Sequence, residues 1–166
     1  MNGIEFIATA VATGQIHGVG IGSPLRTVDR AISFDFLDVL SEEGFDLRRD
    51  YGPVEIYFTG GPGARRDEWT LTGWSIDLHR LCHRPELTEG WREAMDVEFP
   101  AYTSWAELRE ALSRIPGAPV LEGEDHGEFH TLRAAETKVS VFVVDSPDDE
   151  RDYWPGHGDV WSVSTP

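Results

Sequence analysis

The sequence predicts an α+β protein built as a tandem repeat, each repeat a helix pair followed by an antiparallel β-meander. Three observations carry that expectation. The chain matches itself at an offset of about 85 positions: Leu47-Arg48 falls on Leu132-Arg133, Val54–Phe58 on Val139–Val143, Pro62 on Pro147, Arg66-Asp67 on Arg151-Asp152 and Trp69 on Trp154. Short runs that alternate apolar and polar residues follow helical patterns and are joined by Gly- and Pro-containing turns, which favours antiparallel pairing. Finally, a chain of 166 residues is long enough for one well-buried core and too short for two large domains. The repeats divide as residues 1–84 and 85–166 and are expected to pack as one compact unit.

The apolar, Ala-rich N-terminus reads as a first amphipathic helix. A secretory leader needs a positive segment before its apolar stretch, and the only early side-chain charge here is Glu5. A second helix opens at Ser23-Pro24, with serine as N-cap and proline at the first helical position, and carries Leu25, Val28, Ala31 and Ile32 on one face. A further helix is expected from about Asp35 to Gly44, where the glycine would end it. Strands follow at Phe45–Asp50, Val54–Thr59 and Trp69–Leu81, separated by the turn Tyr51-Gly52-Pro53 and the loop Gly60–Gly63. Residues 84–102 join the halves. In the second half Thr103 or Ser104 caps a helix bearing Trp105, Leu108, Ala111 and Leu112. Phe129–Ala134, Lys138–Val144 and Val160–Val163 read as strands, with Ser146–Asp152 a charged hairpin loop.

Charge narrows the function classes. Thirty acidic against 14 basic residues give a formal net charge of -16, the wrong sign for a generic duplex-DNA or anionic-membrane binder, whose surfaces must meet phosphates. No run of about 20 apolar residues suggests a membrane span. A single cysteine, Cys82, permits no intrachain disulfide and fits a reducing, cytoplasmic setting. The acid is also uneven. Residues 1–85 carry 12 acidic and 8 basic side chains, net -4, so the rest carries 18 and 6, net -12.

Several local patterns invite chemistry. Gly18-Val19-Gly20-Ile21-Gly22 falls short of a nucleotide-binding fingerprint because Ser23 stands where the third glycine would be and no Gly-Lys-Ser/Thr follows. His79 with His83, and His126 with His130, have i,i+4 spacing, but that spacing joins two imidazoles only on a helix; His79 is expected at a strand end and His126, in the acidic run from Glu122, in a loop. No metal and no cofactor are therefore expected. Arg48 and Asp50 would share one sheet face, either as an anion site or as a salt-bridged strand end, and the second reading is favoured. The acidic runs are Glu122–Glu128, which includes Glu124 and Asp125, and Asp148, Asp149, Glu150 and Asp152, which lead into Tyr153 and Trp154, with Trp161 beyond. Acid interleaved with aromatics is either a solvated surface or an interface with steering charge and ring anchors.

Two resemblances bear on these residues. Gly22-Ser23-Pro24 followed by Val28, and the later Tyr51-Gly52-x-Val54-Glu55, are similar to the repeat opening of the β-lactamase-inhibitor-protein architecture and its relatives. That likeness concerns shape, and a chain without paired cysteines or a leader does not imply inhibition of a secreted β-lactamase. Leu47–Gly52, Val54–Phe58 and Asp77–Leu81 resemble a group of small uncharacterised actinobacterial proteins of the immunity type, over about residues 18–82. This second resemblance implies a cytoplasmic inhibitor of a toxin. The leading expectation is thus a non-enzymatic protein-binding module that occludes a basic partner, a toxin domain in the immunity reading. Its contact residues would be Asp148, Asp149, Glu150, Asp152, Tyr153, Trp154, Glu124 and Asp125. One alternative is a small cytoplasmic hydrolase or ligand-binding enzyme using His79, Cys82 and His83. Another is an acidic housekeeping domain without a specific partner. No nucleic acid and no membrane are expected as partners, and exposed sheet edges leave both a monomer and a homodimer open.

Overall fold

Two helices and four strands follow one another twice along the chain. The computed structural model describes residues 1–166 apart from the side chain of His126. Helices α1 (Gly3–Thr13) and α2 (Leu25–Ala31) precede β1 (Leu37–Leu40), β2 (Asp46–Asp50), β3 (Val54–Thr59) and β4 (Thr70–Ile76). Helices α3 (Glu89–Met95) and α4 (Trp105–Ser113) then precede β5 (Leu121–His126), β6 (Phe129–Ala134), β7 (Ser140–Val144) and β8 (Val160–Ser164). All eight strands form one antiparallel sheet in the order β1-β2-β3-β4-β8-β7-β6-β5. The fold is α+β. Each meander runs outward from the central pairing of β4 with β8, where Ser75 lies opposite Ser164 and Ile76 opposite Val163.

Local chemistry explains where the helices start and stop. Asn2 caps α1 by accepting the Ile4 N–H at 2.8 Å, and Gly14 closes it in the left-handed region at φ 71°. Phe6, Ile7, Ala10 and Val11 supply its buried face, and the Trp74 indole N–H donates to the Gly14 carbonyl at 3.1 Å, tying the helix end to β4. Ser104 caps α4 in a reciprocal box with Glu107, and Leu108, Ala111 and Leu112 are buried as its periodicity predicts. At α2 the cap lies one residue later than expected. Pro24 occupies the capping position, and the Ser23 hydroxyl instead accepts the Gly20 N–H at 3.1 Å.

Strand alternation divides the sheet into two faces. On β3, Val54, Ile56 and Phe58 point into the core while Glu55, Tyr57 and Thr59 point away; Leu132, Val141, Val143 and Val163 continue the inner face across the second meander. Each such buried aliphatic or aromatic side chain contributes roughly 1.5–3 kcal/mol against the apolar faces of the helices. The helix openings are stitched to the sheet in corresponding ways. Leu25 N–H donates to Trp69 O and Leu71 N–H to Ser23 O, both at 2.9 Å; Trp105 N–H donates to Gly158 O at 2.9 Å and Val160 N–H to Thr103 O at 2.8 Å. The pairing register slips at Tyr57/Phe58 between β3 and β4 and at Phe142/Val143 between β7 and β8.

Four local expectations are corrected. The segment expected to form a helix from Asp35 to Gly44 contains β1, held by pairing with β2 and by Arg49 of β2 reaching Asp38. The strand expected to run from Trp69 to Leu81 ends at Ile76, and Leu78–Arg80 turns in a single 3-10 turn that carries His79. The acidic run beginning at Glu122 is largely the outer strand β5 of a hairpin, and not a loop. The connector between the halves contains α3, whose Trp91 is fully buried.

Candidate functional site

The sheet face turned away from the helices carries a polar half and an aromatic half. On the polar half the buried Glu55 accepts the Tyr57 hydroxyl at 2.7 Å and lies 3.5 Å from Arg80 and 3.7 Å from Arg48. Arg80 also donates to the Gly52 carbonyl at 2.7 Å and pairs with Asp50 at 3.3 Å. Arg48 and Asp50 do share this face, and both are engaged within the fold, as a salt-bridged strand end would be. Asp77 accepts a 3.4 Å hydrogen bond from Ser75, yet burial, followed by the charge of Glu55, pushes its carboxyl up to about 6. Burial likewise pushes the Tyr57 phenol up to about 12.

A raised carboxyl means that the folded state holds its proton more tightly than the unfolded chain does. Asp77 therefore favours folding at low pH, and that contribution is lost as pH rises from about 4 through 6. Asp77→Asn is expected to raise stability at pH 7.5 by about 2 kcal/mol and by about half as much at pH 5. Urea denaturation of both chains at the two pH values checks this, and a variant that loses stability at pH 7.5 contradicts it.

The aromatic half lies under the long connection between β7 and β8. Trp161 of β8 stacks on His79 with ring centres 4.5 Å apart and planes 5° apart; Trp154 of the connection stacks on Trp161 at 5.6 Å and 18°. Phe129 of β6 meets the Trp161 ring edge-on at 5.6 Å, and His83 meets Trp154 at 4.8 Å. The connection is held from two sides. At its base Arg151 makes a two-point ion pair with the buried Asp159, at 2.8 and 2.7 Å, and lies over the Tyr102 ring. At its tip the Tyr153 carbonyl accepts the Cys82 thiol at 2.7 Å and lies 3.1 Å from His83 Nδ1, which must carry the proton to bond a carbonyl. The backbone of Tyr153 sits in the left-handed region at φ 59°. Tyr153 is 72% exposed and Trp154 49% exposed.

The two groups of residues that the sequence presents as rival sites therefore form one surface. Asp149, Glu150, Asp152 and Trp154 line a cavity of about 350 Å³ against Phe129, Val144 and Trp161, and Tyr153 and Asp148 stand exposed on the same connection. Glu124 and Asp125 lie elsewhere, on the outermost strand β5, where Asp125 pairs with His130 at 2.5 Å. Sequence reasoning missed Phe129 and the stacking role of His79, and it missed the Arg151–Asp159 anchor. Only the Trp154 and Trp161 spacing hinted at the cluster.

Chemistry at Cys82 and the histidines is limited by their surroundings. Burial pushes the Cys82 thiol up and the His79 imidazole down, so both are uncharged at neutral pH, away from the thiolate a nucleophile needs. Among the described residues no group of three or more His, Cys, Asp or Glu side chains is placed to hold a metal ion. The pair His126 and His130 lies partly outside the described residues, since the His126 side chain is not among them. Among the described residues no helix is long and apolar enough to cross a membrane. No protein-family model, no curated protein and no solved structure matches the chain.

Proposed function

We propose that the chain is a non-enzymatic protein-binding module of the immunity type, which occludes a basic toxin domain through the acidic, aromatic surface of the β7–β8 connection. The observation that carries the proposal is the pairing of exposed rings with rigid support. Tyr153 and Trp154 project from an acidic segment whose base and tip are both tied to the fold, so little ordering entropy is left to lose on binding. Carboxylates around aromatic anchors would speed encounter with a cationic partner, and ring burial would slow release. A single free cysteine and net charge of -16 fit an inhibitor that works in the reducing cytoplasm. The corresponding helix-to-sheet bonds and register slips support descent by duplication of units 1–84 and 85–166, with the partner surface developed only on the second.

The test is affinity capture from the source cells at low salt, followed by elution through a salt gradient and identification of the retained protein. One basic protein, bound in stoichiometric amount and toxic unless this chain is co-expressed, is the expected result. Replacing Asp148, Asp149 and Asp152 by Asn and Glu150 by Gln is expected to weaken its binding at least about tenfold at low salt and to flatten the salt dependence. Equal affinity and an equal salt slope in the variant overturn the role of this surface. Failure of any such protein to bind overturns the immunity reading itself.

A further inference from the structure

The cavity beneath the β7–β8 connection has a composition that specifies its occupant more narrowly than the surface around it. It is lined by Phe129, Trp154 and Trp161 together with four acidic residues that we take as its rim, Glu128, Asp149, Glu150 and Asp152. Among the described residues no basic side chain lines it. The one arginine of this connection, Arg151, is held by Asp159 in a two-point pair and lies over Tyr102, so it does not neutralise the rim. Among the described residues none of the four rim carboxylates forms an ion pair, unlike Asp38, Asp50, Glu55 and Asp159, each of which holds an arginine. Negative charge is thus concentrated around aromatic faces and left uncompensated by the fold.

We infer that this cavity is a subsite for one arginine side chain of the protein partner. The inference rests on the binding surface proposed above and deepens it. At about 350 Å³ the cavity lies at the small end of ligand sites, suited to a single side chain. A cation over an indole face gains from the ring quadrupole, and a planar guanidinium adds stacking and two-point bonding to a carboxylate. A lysine ammonium offers a point charge without the plane and is held less well. Val144 and Pro155, also in the wall, give the aliphatic stem of the side chain apolar contact. The Trp161 ring is held by its stack on His79, so the platform is formed before the guanidinium arrives.

The experiment titrates N-acetyl-arginine amide into the full chain at low salt and follows the indole N–H signals of Trp154 and Trp161 by NMR. The lysine analogue and the uncharged citrulline analogue serve as comparisons. Saturable shifts at both indoles are expected with the arginine probe, weaker binding with lysine and none with citrulline. A combined Asp149→Asn, Glu150→Gln, Asp152→Asn chain should bind the probe about tenfold more weakly while its other indole signals stay in place. Trp154→Leu, at a half-exposed position, should remove the Trp161 shift without unfolding the core. Absence of a saturable shift, or an equal response to citrulline, overturns the subsite. If a basic partner is still captured in that case, the surface stands without an arginine pocket. If the probe binds and no partner is captured, the pocket stands and the immunity reading falls.

Discussion

Trp91→Ala is expected to destabilise the fold by about 4 kcal/mol, the upper part of the range for deleting a buried indole. Trp91 is 0% exposed and sits among Phe6, Phe34 and Phe99, with ring centres at 5.1, 5.2 and 5.9 Å, all in edge-on arrangements. Its N–H donates to the Tyr51 carbonyl at 2.8 Å. Truncation would open a cavity the rigid rings cannot fill and would strand that carbonyl, so a transfer loss and an unsatisfied acceptor add together. Trp91→Phe keeps one ring and loses the donor together with part of the indole volume, so an intermediate loss of about 2 kcal/mol is expected. Urea denaturation measures both, and a loss below about 2 kcal/mol for the alanine variant contradicts this account. The position also matters for architecture. Trp91 lies in α3, after the proposed boundary at residue 84, while Phe6, Phe34 and Tyr51 lie before it, so neither proposed unit would have a complete core of its own.

Why α3 escaped sequence reading is visible in the same cluster. Gly90 reads as a linker residue, but a Cβ at that position would lie 2.4 Å from the Phe34 ring, so the helix needs glycine in order to pack. Local propensity loses there to a close approach. Something similar happens at β1. Phe36, Leu37, Val39 and Leu40 fit a helical face as well as a strand, and Gly44 imitates a helix end. The strand is selected by partners outside the segment itself, namely β2 across a hairpin and the side chain of Arg49. β5 was obscured for the opposite reason: an edge strand with solvent on both sides needs no apolar alternation, and Glu122-Gly123-Glu124-Asp125 shows none. β2, β3, β6 and β7 were legible because each buries one face, which imprints period two on the residues themselves.

The candidate site was half legible for a related reason. Its acids and Trp154 are consecutive in sequence, so their clustering is a local property. The link to His79, Cys82 and His83 spans about 70 residues and exists only because the 3-10 turn after β4 rests against β8, the strand at the centre of the sheet. A fold that ends each meander at the middle of one sheet necessarily brings the close of the first unit beside the close of the second. The site lies at that junction, and nothing within either unit alone marks it.

Arg49→Met is expected to cost about 3 kcal/mol and to release β1 from the sheet. Arg49 occupies a core-facing position of β2 at 1% exposure, where alternation calls for an apolar residue. Its guanidinium bonds both oxygens of Asp38, at 2.8 and 3.1 Å, also pairs with Asp29 of α2, and lies 3.7 Å from the centre of the Phe36 ring. Burial opposes its charge, but the hydrogen bonds it donates to Asp38 and Asp29 outweigh that and hold the group above the ordinary arginine value. Removing one partner of a buried pair usually costs about 3–5 kcal/mol because the other charge is stranded. The lower end applies here, since Asp38 keeps Arg66 and Asp29 is partly in water. Arg49→Lys should lose about 2 kcal/mol, as a single ammonium cannot serve two carboxylates with the same geometry. Arg49→Met combined with Asp38→Leu should recover most of the loss, because the charges then left without a partner, Asp29 and Arg66, both reach water. Hydrogen exchange should show the change first at residues 37–40, where Leu37, Val39 and Leu40 are exposed and contribute little packing to hold the strand. A released edge of this kind, apolar and with unpaired backbone groups, should also make the single variant aggregate on mild heating while the double variant does not. Full exchange protection at residues 37–40 in Arg49→Met would show that strand pairing alone holds β1, and that the arginine is dispensable to it.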